Sequence, residues 1–187
     1  MMIDNITPEI LIETLRDIGA SRVETSTSPE GTKVVTFWDS DFPYNIVIAG
    51  CGLRPGKCIT IGLFVRVEAG ATNYPLETIN AHNSKSYFVS AARLSDTQFC
   101  IARAAVIDGG VTKLNLAVNL GSFVGAVQNS LQFLAQQTIA SADQRGTVQL
   151  MAAKTATPRI IPATREDIAM MAQELSKPVN TALTQRK

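Results

Sequence analysis

One histidine, His82, and three cysteines, Cys51, Cys58 and Cys100, are the residues of this 187-residue chain with the most direct access to chemistry. A solitary histidine can act as a general base, but only with a nucleophile or a substrate group beside it. Cys58 and Cys100 are the candidates for that nucleophile, and nothing in their spacing brings them to His82. The simpler expectation for His82 is a partly buried polar residue at a helix end. The cysteines are odd in number and do not stand at zinc-ligand spacings. Cys51 and Cys58 could face each other across a hairpin and pair; in a reducing cytoplasm they are expected instead as free thiols or small buried hydrophobes. Gly50-Cys51-Gly52 is no phosphate loop, because neither a Gly-Lys-Ser/Thr continuation nor a helix signal follows it. The expectation is therefore no catalytic residues, no cofactor, no metal, and a protein that is not an enzyme.

The arginines are a softer signal. Arg66, Arg93 and Arg103 each interrupt apolar neighbours in a strand-like run, so each needs a carboxylate or water. Glu68, Asp96 and Asp108 are the expected partners. The sharper alternative is a shared site for an anion or a client's carboxylate. Asn80 and Asn83 stand three apart and share one helix face.

The elements that hold these residues centre on 86–135. The run 88–94 reads as a strand closed by a Ser95-Asp96 turn. In 99–107, Phe99, Ile101, Ala105 and Ile107 point one way, with Arg103 among them, and small residues point the other. Both faces are thus expected to be at least partly covered. Asp108-Gly109-Gly110 ends the strand, since adjacent glycines supply positive φ. Thr112 is placed to cap a helix over 113–137, about 37 Å long, with Leu116, Leu120, Phe123, Val127, Leu131 and Leu134 as its apolar stripe. Gly121 and Gly125 each cost about 1 kcal/mol against Ala, and close backbone packing or a dimer seam is the expected reason.

Upstream, Thr7-Pro8-Glu9 starts a helix with Leu11, Leu15 and Ile18 on one face, stopped by Gly19. Strands follow at 33–38, 44–49 and 59–67; in the last, Ile59, Ile61, Leu63, Val65 and Val67 form a strict period-two face. A short helix over 76–83, entered through Pro75, carries Ile79 to the core. The order α-β-β-β-α-β-β-α predicts an α+β fold, an antiparallel sheet with helices packed on one side, over residues 1–140. Residues 141–187 read as an extension. Within it, 152–163 is a linker broken by Pro158 and Pro162, and 164–176 is an amphipathic helix. That helix has a Thr164/Asp167 capping box and shows Ile168, Met171 and Leu175 on one face. A helix of about 12 residues is marginal alone and must dock in cis or in trans. The tail from Lys177 is expected to be loose.

Composition narrows the function classes. With 45% hydrophobic residues, 18% charged and net charge +1, the chain offers no electrostatic case for nucleic acid. At 6% aromatic, a base-stacking surface is equally unsupported. No apolar run approaches the ~20 residues of a membrane helix, and Met1-Met2-Ile3-Asp4-Asn5 is too polar for a signal peptide, so the cytoplasm is expected.

The segment Leu76-Glu77-Thr78-Ile79-Asn80-Ala81-His82-Asn83, the strand pair after it, Gly109-Gly110-Val111-Thr112 and Phe123 together resemble the YbjN-like family. Members of that family carry a provisional description as bacterial sensory-transduction regulators. Their fold is similar to that of type III secretion chaperones, small dimeric proteins that hold an extended segment of a client. The match spans about residues 7–138; His82 stands where the family often has tryptophan, and 141–187 fall outside the pattern. The resemblance implies that Asn80 and Asn83 are structural, with Asn83 satisfying turn backbone after its helix. It also implies a dimeric, chaperone-like protein of a bacterium that binds a partner's peptide by strand addition or in a helix groove. Arg66, Arg93, Arg103, Gly121, Gly125, Ile168, Met171 and Leu175 are the candidate surface for partner or second subunit. The alternative is a regulator sensing a small ligand in a pocket between sheet and long helix.

Overall fold

The computed structural model describes residues 2–51, 57–69, 76–107, 109–143 and 158–176, without the side chains of 137–143 and 176. Gly52, Pro75, Asp108, the linker stretch 152–157 and the tail from Lys177 lie outside the described residues. Along the chain come β1 (Met2–Ile3), α1 (Pro8–Asp17), β2 (Arg22–Thr27), β3 (Lys33–Asp39), β4 (Phe42–Ala49) and β5 (Thr60–Glu68). They are followed by α2 (Leu76–Lys85), β6 (Ser90–Arg93), β7 (Gln98–Val106), β8 (Val111–Thr112), α3 (Lys113–Asp143), β9 (Arg159–Ile161) and α4 (Arg165–Ser176).

The fold is α+β, with an antiparallel sheet in the order β2-β3-β4-β5-β7-β6 and a separate β1–β8 pair. Several elements depart from the expected order. β2 adds a strand ahead of β3; it is almost wholly exposed and carries one apolar residue, Val23. Backbone pairing with β3, closed by a turn in which Gly31 has φ 85°, makes it a strand, and no burial pattern marks it in the sequence. β9 lies inside the stretch expected as linker. It pairs with Arg66, Val67 and Glu68 of β5, beyond the last β4–β5 pair at Phe64.

Alternation along the strands sorts the core into two parts. Val35, Ile46, Ile61, Leu63, Val65 and Ile101 pack with Leu11 and Leu15 of α1, Ile79 of α2, and Leu116, Leu120, Phe123, Val127 and Leu134 of α3. Tyr44 stacks on Phe37 and meets the edge of Phe123, with ring centroids 6.2 Å apart in the second contact. On the other face, Val34, Val47 and Phe64 pack with Ile168, Met171 and Leu175 of α4. Helices therefore cover both faces, and not one side as expected. The second face of β7 is covered at Cys100 and open at Val106.

Two further expectations fail locally. Ile18 does not continue the buried stripe of α1; it is the C-cap residue and is exposed. Gly121 and Gly125 make no close approach, since nothing lies within 4 Å of a Cβ built on either. They occupy the outward side of α3, opposite Leu120, Phe123 and Val127, while exposed Leu114 and Val118 continue that outward face. The cost of glycine in a helix then has no return among the described residues. Gly121→Ala should raise the stability of the monomeric fold by about 0.5–1 kcal/mol, read as a higher urea midpoint at unchanged slope. A lower midpoint that depends on protein concentration would instead place a second subunit against this face.

Candidate functional site

The strongest candidate is the groove on the sheet face under α4. Its floor is β5, where Gly62 leaves a hollow: a Cβ there would lie 2.4 Å from the Leu175 side chain and 3.1 Å from Met171. Phe64 and Val47 wall the hollow, so Ile168, Met171 and Leu175, spaced three and four apart, seat on one continuous apolar strip. All three residues singled out in the sequence meet here.

One end of the groove is polar. Arg66, two residues beyond Phe64 on the same face, donates from Nη1 to Asp167 Oδ2 at 2.8 Å and from Nη2 to Gln98 Oε1 at 2.5 Å. The Asp167 carboxylate also accepts from the Thr164 N–H at 2.7 Å and the Thr164 hydroxyl at 2.9 Å, and its own N–H donates to Thr164 Oγ1 at 3.3 Å. Asp167 thus closes the capping box that starts α4 and supplies the counter-charge for Arg66. Glu68, the partner expected for Arg66, pairs instead with Arg159 of β9, at 2.5 Å. Neighbouring side chains on one strand face lie two residues apart along a twisted ribbon, and β9 crosses the end of β5 nearer to Glu68.

Two buried donors beneath this surface have no acceptor among the described residues: Arg66 Nε and Asn45 Nδ2. Asn45 accepts from the Thr36 hydroxyl through its carbonyl oxygen, at 3.0 Å, and its pair across to β5 is Phe64. Burying such a group without a partner costs about 1–3 kcal/mol. α4 fills the groove without completing its hydrogen bonds.

The three arginines do not form one site. Arg93 bridges Asp96 at the β6–β7 turn. Arg103 faces the opposite side of the sheet from Arg66, with its guanidinium 3.5 Å from the Phe88 ring centroid. Its Nη1 has no acceptor among the described residues, and desolvation lowers its pKa.

His82 is buried between α2 and α3. The Asn83 amide donates to the Ala91 carbonyl at 2.8 Å and its carbonyl accepts from the Ala91 N–H at 2.7 Å, which fixes the amide's orientation. Asn83 Oδ1, an acceptor, therefore takes the Nδ1 proton of His82 at 3.1 Å. Nε2 is left to the Ser130 hydroxyl at 2.8 Å, which also stands 2.8 Å from the Ala126 carbonyl. Serine beside a correctly oriented imidazole is the pairing of a nucleophile and its base. Here the serine lies mid-helix, where neighbouring backbone N–H groups are committed to the helix ladder and offer no oxyanion cradle. Asn83 works as a false peptide on the outer edge of β6, while Asn80 is exposed on α2. Gly109 and Gly110 have φ of 91° and 94°, and the Thr112 hydroxyl accepts from the Asn115 N–H at 3.1 Å.

Cys51 and Cys58 are bonded to each other, which overturns the expectation of free thiols there. The β4–β5 register pairs Ala49 with Thr60, and the same register carried two residues further sets Cys51 opposite Cys58. Cys100 remains free, and burial pushes its thiol up, away from a reactive thiolate. Ser130, Asp167, Gly62 and Asn45 were not legible as site residues, apart from Asp167 as a helix cap.

Comparison with protein-family models gave no match, and comparison with curated proteins gave none. Among solved structures, the chain is similar to the crystal structure of YbjN from E. coli, provisionally described as a transcription regulator. That likeness has 16% identity, covers 87% of this chain and 100% of the other, and has a TM-score of 0.49. At that level it carries neither family nor function to this chain. No helix among the described residues is long and apolar enough to cross a membrane.

The double duty of Asp167 predicts a graded loss. Asp167→Asn keeps an acceptor for the cap and removes the charge facing Arg66; Asp167→Ala removes both. Amide exchange of α4 should quicken from wild type to Asn to Ala, by about 5- to 30-fold for each step, equivalent to 1–2 kcal/mol. Equal exchange in all three would mean that the Arg66 contact does not hold the helix.

Proposed function

We propose that this chain is a non-enzymatic, chaperone-like binding module that receives a helical segment of a partner protein in the groove now held by α4. One observation supports the reading most: α4 seats three apolar anchors on the sheet, yet Asn45 Nδ2 and Arg66 Nε stay buried with no acceptor among the described residues. A segment that offers the same anchor spacing plus an acceptor at either donor would bind better than the chain's own helix. The cis helix then acts as a resting occupant, exchanged for a client by mass action.

Strand addition has less in its favour. At the β6 edge, Asn83 already takes the outward N–H and C=O of Ala91. The β2 edge is unpaired among the described residues, but it is polar and carries an Arg22–Glu24 pair, which discourages pairing with a second strand. A homodimer is part of the proposal, with the outward side of α3 around Leu114, Val118 and Gly121 as its surface. A bacterial cytoplasm is the proposed compartment; reducing conditions there would open the Cys51–Cys58 bond.

The test removes the occupant and returns it as a peptide. A chain ending at residue 157 should bind a synthetic 158–176 peptide saturably, and Arg66→Met in the truncated chain should weaken that binding about tenfold or more. A truncated chain that keeps its far-UV spectrum but ignores the peptide would end the groove reading. If truncation prevents folding, full-length Gly62→Val serves instead. It should expel Leu175 and expose apolar surface to a dye, and unchanged dye binding would count against the proposal.

A further inference from the structure

On the other side of the sheet, between α2 and α3, lies an open cleft of ≈ 380 Å³. His82 and Lys85 enter it from α2, Phe88 from the link to β6, and Asn129, Ser130 and Phe133 from α3. It is not the expected pocket between sheet and long helix. That interface is filled by Leu120, Phe123 and Val127, all fully buried. The cleft opens beside it, where α3 rises past the end of α2.

Its chemistry is one-sided. Phe88 and Phe133 supply aromatic walls, and each is held from behind or beside by a cation: Arg103 stacks on Phe88, and Lys85 Nζ stands 5.3 Å from the Phe133 centroid. Lys85 is the one formally charged side chain lining the cleft. Among the described residues no carboxylate pairs with it. The floor is polar but already ordered, with the His82 ring held between Asn83 and Ser130. A pocket near the small end of the usual ligand range, about 300–1,000 Å³, with apolar walls and a few fixed polar groups, has the character of a ligand site. We infer that this cleft binds a small amphipathic anion: an aromatic or acyl body against Phe88 and Phe133, and a carboxylate facing the Lys85 ammonium.

Each feature of that class has a separate reason. An apolar body is favoured because Phe88, Phe133 and Ala126 line the cleft together. An anion is favoured because the Lys85 ammonium, which no carboxylate among the described residues meets, gains a counter-charge, while a cation would be repelled by it. A peptide fits poorly, since the His82 edge nitrogens and Ser130 are already engaged and few groups remain for a backbone. The site is independent of the α4 groove, so either can fail without the other.

Two probes that differ by one charge test it. 8-Anilinonaphthalene-1-sulfonate is anionic, and N-phenyl-1-naphthylamine is its uncharged parent. The full-length chain should bind both saturably at one site. Lys85→Gln should weaken the anionic probe about three- to fivefold and leave the neutral probe within a factor of about 1.5, as befits a partly exposed charge. Asn129→Trp, at an exposed position on α3, should block both probes without touching the core. His82 is the sole histidine, so its imidazole NMR signals report occupancy of this cleft directly and should shift on titration with either probe. Equal weakening of both probes by Lys85→Gln would overturn the anion assignment. Unmoved His82 signals, or probe binding indifferent to Asn129→Trp, would place the binding elsewhere and overturn the site.

Discussion

The burial of β5 on both faces is the constraint on which the rest of the molecule depends. Thr60–Glu68 pairs with β4, β7 and β9, and all of its residues but Arg66 and Glu68 are buried. On one face Ile61, Leu63, Val65 and Val67 each remove a branched side chain from water, at about 1.5–3 kcal/mol apiece. The helices α1, α2 and α3 exist in their present places because that row, continued by Val35, Ile46 and Ile101, needs a cover. The other face is less uniform, with glycine, phenylalanine and arginine in succession at Gly62, Phe64 and Arg66. A cover for that face has to be apolar in one place and anionic in another.

α4 meets both demands within one short helix. Its apolar anchors fill the Gly62 hollow, and the first-turn carboxylate of Asp167 answers Arg66 while ordering the helix start. A buried ion pair of this kind is poor evidence of net stability, because desolvation offsets much of the attraction. Its effect is on specificity: a helix without an acid at that position would leave Arg66 stranded. Two donors keep no acceptor among the described residues, and the proposal of an exchangeable occupant rests on them.

The polar interior on the helix side serves a different end. Asn83 closes the free edge of β6 by imitating a neighbouring strand, and His82 and Ser130 tie that edge to α2 and α3. The sheet is therefore blunted at one edge by a side chain and at the other by the polar, charged character of β2. Because the same histidine floors the cleft, a ligand seated there would touch the network that seals the sheet. The two candidate sites lie on opposite sides of the sheet and have no lining residue in common.

Much of this was readable from the chain alone. The period-two row in β5, the α3 stripe, the Thr7 and Thr112 caps and the Thr164/Asp167 box are local patterns, set by side-chain alternation and by backbone groups within a few residues. Strand β2 escaped because an exposed edge is specified by its partner's backbone and not by its own hydrophobicity. The Cys51–Cys58 bond turned on the β4–β5 register, since the spacing alone was compatible with free thiols. Arg66 was visible as an ion needing a partner, yet its choice of Asp167 over Glu68, a hundred residues nearer in sequence, followed from where β9 and α4 cross the sheet. His82 found Ser130, and Gly121 and Gly125 found open space, for the same reason. The sequence by itself determined which faces of the central strands and helices are apolar and where the capped helices begin; the exposed strand β2, the strand β9 and which charges, donors and hollows come to face one another were decided only by tertiary packing, because those contacts join segments that carry no local signal of each other.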